Sequence, residues 1–442
     1  MRELFKAANL ANLAEVSGLF LKLGATAFGG PAAHIALMRR EAVERRKWLS
    51  EEAFLDLLGA TNLIPGPNST EMAIHLGYLR AGWPGLIAAG TCFIVPAMLL
   101  VSAMAWAYAR SGALPQLGWL LYGVKPVVVA LILHAVWNLG RTALNDAARK
   151  IGFVAVLAWY FAGANEIALL FGTGLAALAL SRMTPGGKGP GAGKQEAEGG
   201  SPRTTSNGKH DENHDGNRDD KCAGVPGLPG ALLSPLAATV AAVPAGCAAA
   251  ALPVGLLSVP IAAPLTVPFT LTLLFLKFLK IGSVLYGSGY VLLPFLRAEF
   301  VQRTGWLTES QVMDAVAVGQ FTPGPFFTTG TFIGHVLGGF PGGALATLGI
   351  FLPAFVFVAI ANPWIPRLRR SDALGRVLDG VNTASLALMA GAAWQTGKVS
   401  VTDGTTAALL AAALYLLFRR NVPGTWLIAG GGLIGMAVRS LA

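Results

Sequence analysis

The chain has 442 residues, 54% of them hydrophobic and 13% charged, with a formal net charge of +10 and a mean hydropathy of +0.57. Soluble domains carry about a quarter charged residues, so this composition excludes an ordinary soluble protein and indicates that the lipid bilayer is its solvent. Lysine and arginine occur in short clusters between apolar tracts, as in cytoplasmic loops, so the charge does not indicate a nucleic-acid partner. The three cysteines lie far apart without ligand spacing, so we expect no disulfide framework, metal site or cofactor.

The N-terminal residues 1–16 lack the apolar core and cleavage site of a signal peptide, so we expect a retained, cytoplasmic N-terminus. Several later tracts have, or approach, the roughly 20 apolar residues that a transmembrane helix needs. Two shorter tracts, 151–162 and 166–180, form either two short tilted helices or one hydrophobic hairpin. The pattern predicts an all-α, polytopic membrane protein. The longer tracts are residues 83–109, 116–139, 232–257, 339–361, 377–395 and 422–438.

The first and second halves of the chain have similar sequences when they are offset by 258 residues. This shift superimposes residues 20–24 on residues 278–282 and continues to Pro65-Gly66-Pro67 on Pro323-Gly324-Pro325. Several identical positions are charged or tryptophan, which shared hydrophobicity alone does not explain, so we infer a duplication. Between the halves lies a polar stretch whose composition cannot bury enough surface to fold. The predicted organisation is a first repeat (1–181), a disordered cytoplasmic linker (182–230), an extra connecting transmembrane helix (231–260) and a second repeat (261–442).

The distribution of basic residues predicts that the two repeats have opposite orientations. The first repeat has five basic residues between positions 39 and 47, whereas the matching loop of the second keeps only Arg297 and Arg303. The bias then reverses, because the first repeat has Arg110 where the second has four arginines between positions 367 and 376. Since positive loops stay in the cytoplasm, we expect inverted repeats, with the extra helix supplying the odd crossing. Inverted repeats place a substrate site near the midplane between the halves.

Each repeat contains a Pro-Gly-Pro segment that is expected to interrupt a membrane helix. A new helix would begin just after it, with Asn68, Ser69 or Thr70 as N-caps in the first repeat and Thr328 and Thr329 in the second. Helix N-termini attract anions, and a broken backbone is tolerated at membrane depth only inside protein or beside a watery cavity. A structural kink is the alternative, but the duplication of the break favours a transport site. The predicted substrate-binding residues are Asn62, Pro65, Gly66, Pro67, Asn68, Ser69, Thr70, Gln320, Thr322, Pro323, Gly324, Pro325, Thr328 and Thr329.

Two glycine-rich turns lie upstream of the breaks and extend the predicted binding set. Gly29 and Gly30 belong to the first turn, and Gly287 and Ser288 to the second. If the loops on both sides of a turn stay on one face of the membrane, each turn is the tip of a re-entrant hairpin. The alternative is close helix packing through small residues.

Ionisable residues near apolar segments are candidates for charge or proton coupling, because unpaired charge in a membrane is costly. Glu71 and His75 follow the first break at i and i+4, so a helix places them on one face, where they could carry a proton. The matching positions of the second repeat hold Thr329 and Ile333, and a plain Glu–His contact is the alternative. The remaining candidates are Arg39, Glu41, Arg297, Glu299, Lys22 and Lys280, of which the arginine–glutamate pairs are most simply interfacial salt bridges.

These motifs resemble the chromate ion transporter family. Phe28-Gly-Gly-Pro31, the loop with Arg39 to Trp48 and the segment from Asn62 to Met72 are similar to its N-terminal domain. Tyr286-Gly-Ser-Gly-Tyr290, Trp306-Leu307 and the segment 319–325 are similar to its C-terminal domain. The resemblance implies the long two-domain form with about 13 helical segments. It also implies chromate export from the cytoplasm across a bacterial-type inner membrane, driven by the proton gradient, and chromate resistance.

The choice of chromate rests on this resemblance alone. Another oxyanion such as sulfate or molybdate would suit the same hydrogen-bond donors, and a passive channel would explain the same spans. A membrane-embedded enzyme using Glu71, His75 and Asp56 is a further alternative, but no nucleophile–base or metal-ligand set recurs in the second repeat, so we expect no enzyme. The partners are therefore an oxyanion, protons and lipid, with homodimer formation left open.

Overall fold

All regular structure in the described part of the chain is helical. The computed structural model describes residues 2–28, 30–62, 64–110, 115–183, 268–286, 289–361, 372–420 and 422–441. The predicted extra helix and the predicted linker from residue 184 onward lie outside these residues. Gly29, Gly287, Ser288 and the basic cluster up to residue 371 also lie outside them.

The first repeat contains seven α-helices in the described residues. Helix α2 continues into a π-helical turn at Arg40–Arg45. The helices are α1 (Arg2–Thr26), α2 (Gly30–Arg39), α3 (Glu51–Thr61), α4 (Asn68–Arg110), α5 (Pro115–Ala143), α6 (Ala147–Phe161) and α7 (Glu166–Met183).

The second repeat gives the same order of elements, so the duplication predicted from sequence is confirmed in three dimensions. A π-helical turn, Arg297–Arg303, again follows the second helix, and 3-10 turns occur at Gly289–Val291 and Phe326–Thr328. The helices are α8 (Leu271–Val284), α9 (Leu292–Leu296), α10 (Glu309–Phe321), α11 (Thr329–Ala361), α12 (Asp372–Ser400), α13 (Gly404–Arg420) and α14 (Gly424–Leu441).

Matching local signals start and interrupt the matching helices. Ser50 caps α3 by accepting a hydrogen bond from the Ala53 N–H, and Thr308 caps α10 with a reciprocal bond to Gln311. The long helices α4 and α11 each contain a kink, at Gly82 with a φ of 63° and at Gly339 with a φ of 62°. Glycine adopts this left-handed conformation without a steric cost, so the glycines at these two positions account for both kinks.

The alignment of the repeats loses one residue at the second break. The spacing of 258 residues holds up to the Pro-Gly-Pro segments, but the kink at Gly82 matches Gly339, which is one residue closer. Because α11 runs without interruption from Thr329 to this kink, the missing residue belongs to the 3-10 turn Phe326–Thr328. The residues that match Glu71 and His75 are therefore Thr328 and Phe332, and the expected matches with Thr329 and Ile333 are wrong.

The two repeats are interlocked around shared helix contacts. Helix α1 packs on α4 and α8 on α11 within each repeat, whereas α5 packs on α13 and α14, and α12 packs on α6 and α7. The equivalent pairs α4 with α11 and α5 with α12 also touch each other. Glycines allow the close approaches, as where Gly123 faces the backbone of Gly431 and Gly380 faces that of Thr173. Each repeat thus completes the core of the other.

Three helices among the described residues are long and apolar enough to cross a membrane. They are Asn68–Arg110, Gly118–Ala143 and Phe326–Ala361, and Glu166–Leu180 is a shorter apolar helix. Large apolar side chains such as Trp83, Ile151 and Trp426 are exposed, as expected for a surface covered by lipid. The predicted class, an all-α membrane protein with two homologous repeats and broken helices, is confirmed. The opposite orientation of the repeats stays a prediction.

Candidate functional site

Each Pro-Gly-Pro break is hydrogen-bonded to the opposite repeat. The Gly66 N–H donates to the Leu285 carbonyl across 2.7 Å, and the Gly324 N–H donates to the Ala27 carbonyl across 2.9 Å. Leu285 and Ala27 come directly after α8 and α1, where the two glycine-rich turns begin. The predicted breaks and turns therefore meet at the contact between the repeats.

Both central glycines have a backbone that other residues rarely adopt. Gly66 has a φ of 143° and Gly324 a φ of 91°. A Cβ on Gly324 would lie 2.6 Å from the Cβ of Ala97 and 2.9 Å from the Gly24 carbonyl oxygen. The backbone conformation and the tight packing both require glycine here. The break is thus fixed by the glycines and their cross-repeat hydrogen bonds as well as by the prolines.

The first break starts α4 in a way that differs from the predicted side-chain cap. The Pro67 carbonyl accepts hydrogen bonds from the Thr70 N–H at 2.7 Å and the Glu71 N–H at 3.0 Å. Asn68 is already the first helical residue, and its side-chain amide donates to Asn62 at 2.7 Å. The prediction that Asn68, Ser69 or Thr70 is the N-cap is therefore wrong, because the helix begins one residue earlier. The N–H groups of Asn68 and Ser69 lie in the first turn, where the α-helix itself provides no acceptor.

Buried polar atoms without hydrogen-bond partners in the described residues surround this helix start. Both carboxylate oxygens of Glu71, the hydroxyl of Thr70 and the side-chain oxygen of Asn68 belong to this group. Glu71 is completely buried, and its carboxyl group lies against the Cα of Gly66, so a Cβ at Gly66 would collide with it. His75, also completely buried, follows one turn later on the same helix. Since buried polar groups are normally paired, this cluster makes the first break a candidate functional site.

The threonine hydroxyls at the second break form hydrogen bonds with neighbouring backbone carbonyls. The Thr328 hydroxyl donates to the Pro325 carbonyl at 2.9 Å, and the Thr329 hydroxyl donates to the Phe326 carbonyl at 2.8 Å. Neither threonine caps a helix by accepting an N–H, so this prediction is also wrong. Phe326 and Phe327 are buried where the first repeat has polar residues. The second copy has kept the broken backbone and replaced the polar side chains by aromatic packing.

Two cavities adjoin the second break. A cleft of about 10 Å³ has room for roughly one water and contains Gly30 and Pro31 of the first repeat beside Gln320, Thr322 and Gly324. A second cavity of about 220 Å³ shares the lining residues Tyr290 and Gln320 with this cleft. The rest of its wall is formed by Leu131, His134, Leu417, Val422, Gly424, Thr425 and Ile428.

Tyr290, His134 and Thr425 were missed from the sequence. Tyr290 directly follows the Tyr-Gly-Ser-Gly turn, so its position beside a candidate hairpin tip was an available signal. His134 and Thr425 lie on α5 and at the start of α14, far from any motif, and only the cross-repeat packing of these helices brings them to the cavity.

The predicted charged residues outside the breaks form ion pairs. Arg39 pairs with Glu51 at 2.6 Å, and the equivalent Arg297 pairs with Glu309 and also donates to the Tyr160 hydroxyl at 3.0 Å. Both arginines thus form salt bridges, but the expected pairs of Arg39 with Glu41 and of Arg297 with Glu299 do not form, because each arginine pairs with a different glutamate. Lys22 is exposed.

The equivalent glutamates Glu41 and Glu299 are also paired. Glu41 accepts from Arg45 at 2.7 Å, and Glu299 accepts from Lys277 at 2.8 Å and from Lys280. Burial alone would raise the pKa of Glu299, but its hydrogen bonds to the two lysines and the charge of Arg303 lower that pKa to about 2. Glu299 is therefore held ionised, which makes it a poor carrier of a transported proton.

Comparison with known proteins identifies relatives of the whole chain. The chromate transporter family model matches residues 14–186 and 272–436. A chromate transport protein of Cupriavidus metallidurans is 29% identical over 425 residues, 96% of this chain and 92% of that protein. A chromate transport protein of Pseudomonas aeruginosa is 29% identical over 427 residues, 95% of this chain and 91% of that protein. No solved structure matches the chain.

Another relative matches only part of the chain. An uncharacterized transporter of Bacillus subtilis, YwrA, is 33% identical over 127 residues, which are 29% of this chain but 69% of that protein.

Proposed function

Because this chain belongs to the chromate transporter family, we propose that it is a secondary transporter that exports chromate from the cytoplasm, driven by the proton motive force, and so gives chromate resistance. The observation that carries the proposal is the pair of helix breaks, each hydrogen-bonded to the opposite repeat and surrounded by uncommitted donors or cavities. Paired broken helices between repeats are the usual location of a transport site. The full-length relatives are named transport proteins, which favours a transporter over a membrane enzyme.

The breaks offer the chemistry that a tetrahedral dianion needs. Two groups of donors can replace its hydration shell. They are the first-turn N–H groups of Asn68 and Ser69 at the first break and the side chains of Gln320 and Tyr290 at the second. A space of about 10 Å³ holds a single water rather than an oxyanion, so the cleft at the second break must widen for transport. Rocking of one repeat against the other would widen it, as in transporters with alternating access.

Glu71 is the best candidate for proton coupling. An ionised carboxylate that is buried without a partner costs several kcal/mol, so its charge has to be neutralised by a proton or by a change in its surroundings. A negative Glu71 would also repel a dianion at the same helix start, so its protonation state changes the affinity for the substrate. This linkage is what coupling between a proton and an anion requires. His75, on the same helix, is the group to which the proton can pass.

The experiment that tests the proposal is uptake of labelled chromate into everted membrane vesicles. We expect uptake that needs an imposed proton gradient and disappears with an uncoupler, because the everted membrane turns export into uptake. Sulfate and molybdate are added as competitors in separate arms. Uptake that continues in the presence of the uncoupler would contradict proton coupling. If sulfate or molybdate inhibits the uptake more strongly than unlabelled chromate does, that anion is favoured as the substrate.

The proposal includes a topology. We propose that the protein is a multi-pass protein of the cell membrane with a cytoplasmic N-terminus and inverted repeats, because the basic clusters reverse between the repeats. A reporter fused after Arg46 is expected on the cytoplasmic side and one fused after Arg303 on the opposite side. Finding both on the same side would contradict the inversion.

A further inference from the structure

A charged cluster joins the two repeats within the membrane-crossing region. The Lys125 ammonium lies 2.9 Å from a carboxylate oxygen of Asp314 and donates to the Ser310 hydroxyl at 2.7 Å. The other oxygen of Asp314 accepts a hydrogen bond from the Tyr108 hydroxyl at 2.9 Å. Lys125 lies within the apolar span Gly118–Ala143, and the side chains of Lys125 and Asp314 are only 18% and 6% exposed. Charged side chains are rare in such spans and tend to have a function.

The cluster ties together two walls of the larger cavity. Lys125 belongs to α5, which lines the cavity of about 220 Å³ with Leu131, six residues later. Asp314 belongs to α10, which lines the same cavity with Gln320, also six residues later. At a rise of 1.5 Å per residue, each wall residue lies about 9 Å along its helix from the charged residue. The distance between the walls thus depends on whether the ion pair is closed.

The lysine of this ion pair is not repeated at the matching position of the duplicated structure. Asp56 matches Asp314 in sequence, but the residue of α12 that matches Lys125 in α5 is the uncharged Asn382. A purely architectural contact between α5 and α10 would be expected on both sides of a duplicated structure. The ion pair therefore distinguishes the second-break cavity from its counterpart.

We propose that Lys125 and Asp314 form an ion-pair latch that keeps the second-break cavity narrow and opens when the cavity admits the oxyanion. Tyr108 and Ser310 hold the two charges in register, and all four are positioning residues. Loss of one charge leaves the other buried without its partner, whereas loss of both removes the attraction without leaving a buried charge. The inference rests on the proposed transport through the second break.

The test measures access to the cavity directly. In a chain with its three cysteines replaced by serine, Leu131→Cys serves as a reporter for a small water-soluble methanethiosulfonate reagent. The key variant carries Lys125→Met together with Asp314→Asn. We expect near-normal protein abundance, because no unpaired charge remains, and labelling about tenfold faster than in the parent, equivalent to about 1.4 kcal/mol. The single variants Lys125→Met and Asp314→Asn should also label faster, but with reduced abundance.

The matched control is a different ion pair between the repeats. Arg149 of α6 and Asp379 of α12 are 2.7 Å apart, and neither residue lines the cavity. The double variant Arg149→Gln with Asp379→Asn should leave the labelling rate unchanged. Unchanged labelling in the Lys125–Asp314 double variant would overturn the latch and leave a structural contact. Chromate flux is measured separately in the parent chain. If the labelling rates are as expected but the parent chain transports no chromate, the proposed function is refuted while the Lys125–Asp314 latch is retained.

Discussion

The two Pro-Gly-Pro breaks both interrupt the helical backbone at a central glycine, but they have opposite side-chain chemistry. At the first, Glu71 and its neighbours are buried with polar atoms that the described protein does not satisfy. At the second, Thr328 and Thr329 satisfy local carbonyls, two phenylalanines fill the space, and cavities open beside Gln320. Both repeats kept the helix interruption after the duplication, and we infer that the two breaks took on different roles in transport. The first break suits a titrating group, and the second suits passage of the substrate.

The largest effect is expected from replacing the glycines that both breaks share. Gly324→Ala puts a Cβ against the backbone of Gly24 and against Ala97 in a left-handed conformation that costs roughly 1–2 kcal/mol by itself. Gly66→Ala meets the movable carboxyl group of Glu71 instead. We expect both variants to lose transport, and Gly324→Ala to lower the melting temperature more. Equal thermal shifts in detergent would contradict the difference in packing.

The next prediction separates the tasks of the two breaks. Glu71→Gln keeps the shape of the side chain and removes its ability to titrate. We expect gradient-driven chromate uptake to fall at least about tenfold while counterflow, which needs no net proton movement, stays within a fewfold of the unmodified protein. Counterflow is measured in proteoliposomes loaded with unlabelled chromate. Loss of both activities would assign Glu71 to substrate binding rather than to coupling.

The matched change in the second repeat is Thr328→Val. It removes a local hydrogen bond of about 1 kcal/mol and no titrating group. Uptake and its dependence on the proton gradient should both stay within a fewfold of the unmodified protein. A loss of gradient dependence here would show that the two breaks share the coupling, and the division of tasks would be abandoned.

Much of this comparison could be predicted from the sequence, because the breaks depend on local chemistry. Proline and glycine report backbone interruption directly, and the 258-residue shift located both copies. The sequence places the start of α4 too late, because the backbone carbonyl of Pro67, and not the side chain of Asn68, accepts the first N–H groups of the helix. Every residue has a backbone carbonyl, so the residue type does not reveal this role. The cavity residues His134 and Thr425 could not be predicted, because they meet only through packing between repeats.

A smaller effect is now expected from the prolines than the sequence alone predicts. If the prolines alone interrupted the helix, replacing Pro65, Pro67 or Pro323 by alanine would produce a continuous helix. The positive φ of Gly66 and Gly324 and their hydrogen bonds to the opposite repeat keep the break without them. We therefore expect alanine variants of the prolines to retain more transport than Gly66→Ala. Complete loss of flux in well-inserted Pro65→Ala would mean that the prolines, and not the glycines, set the break.

The smallest effect is expected from cutting the chain between residues 184 and 230 and expressing both pieces together. The described repeats hold each other through α5 with α14 and α7 with α12, and through the two reciprocal hydrogen bonds at the breaks. These contacts do not need a covalent connection, so most transport should remain. Either piece expressed alone should be degraded, because α5 or α12 would lack the helices that cover it. A stable, active single piece would show that one break with its own repeat is enough. Loss of activity with both pieces inserted in the membrane would show that the severed segment has a direct role in transport.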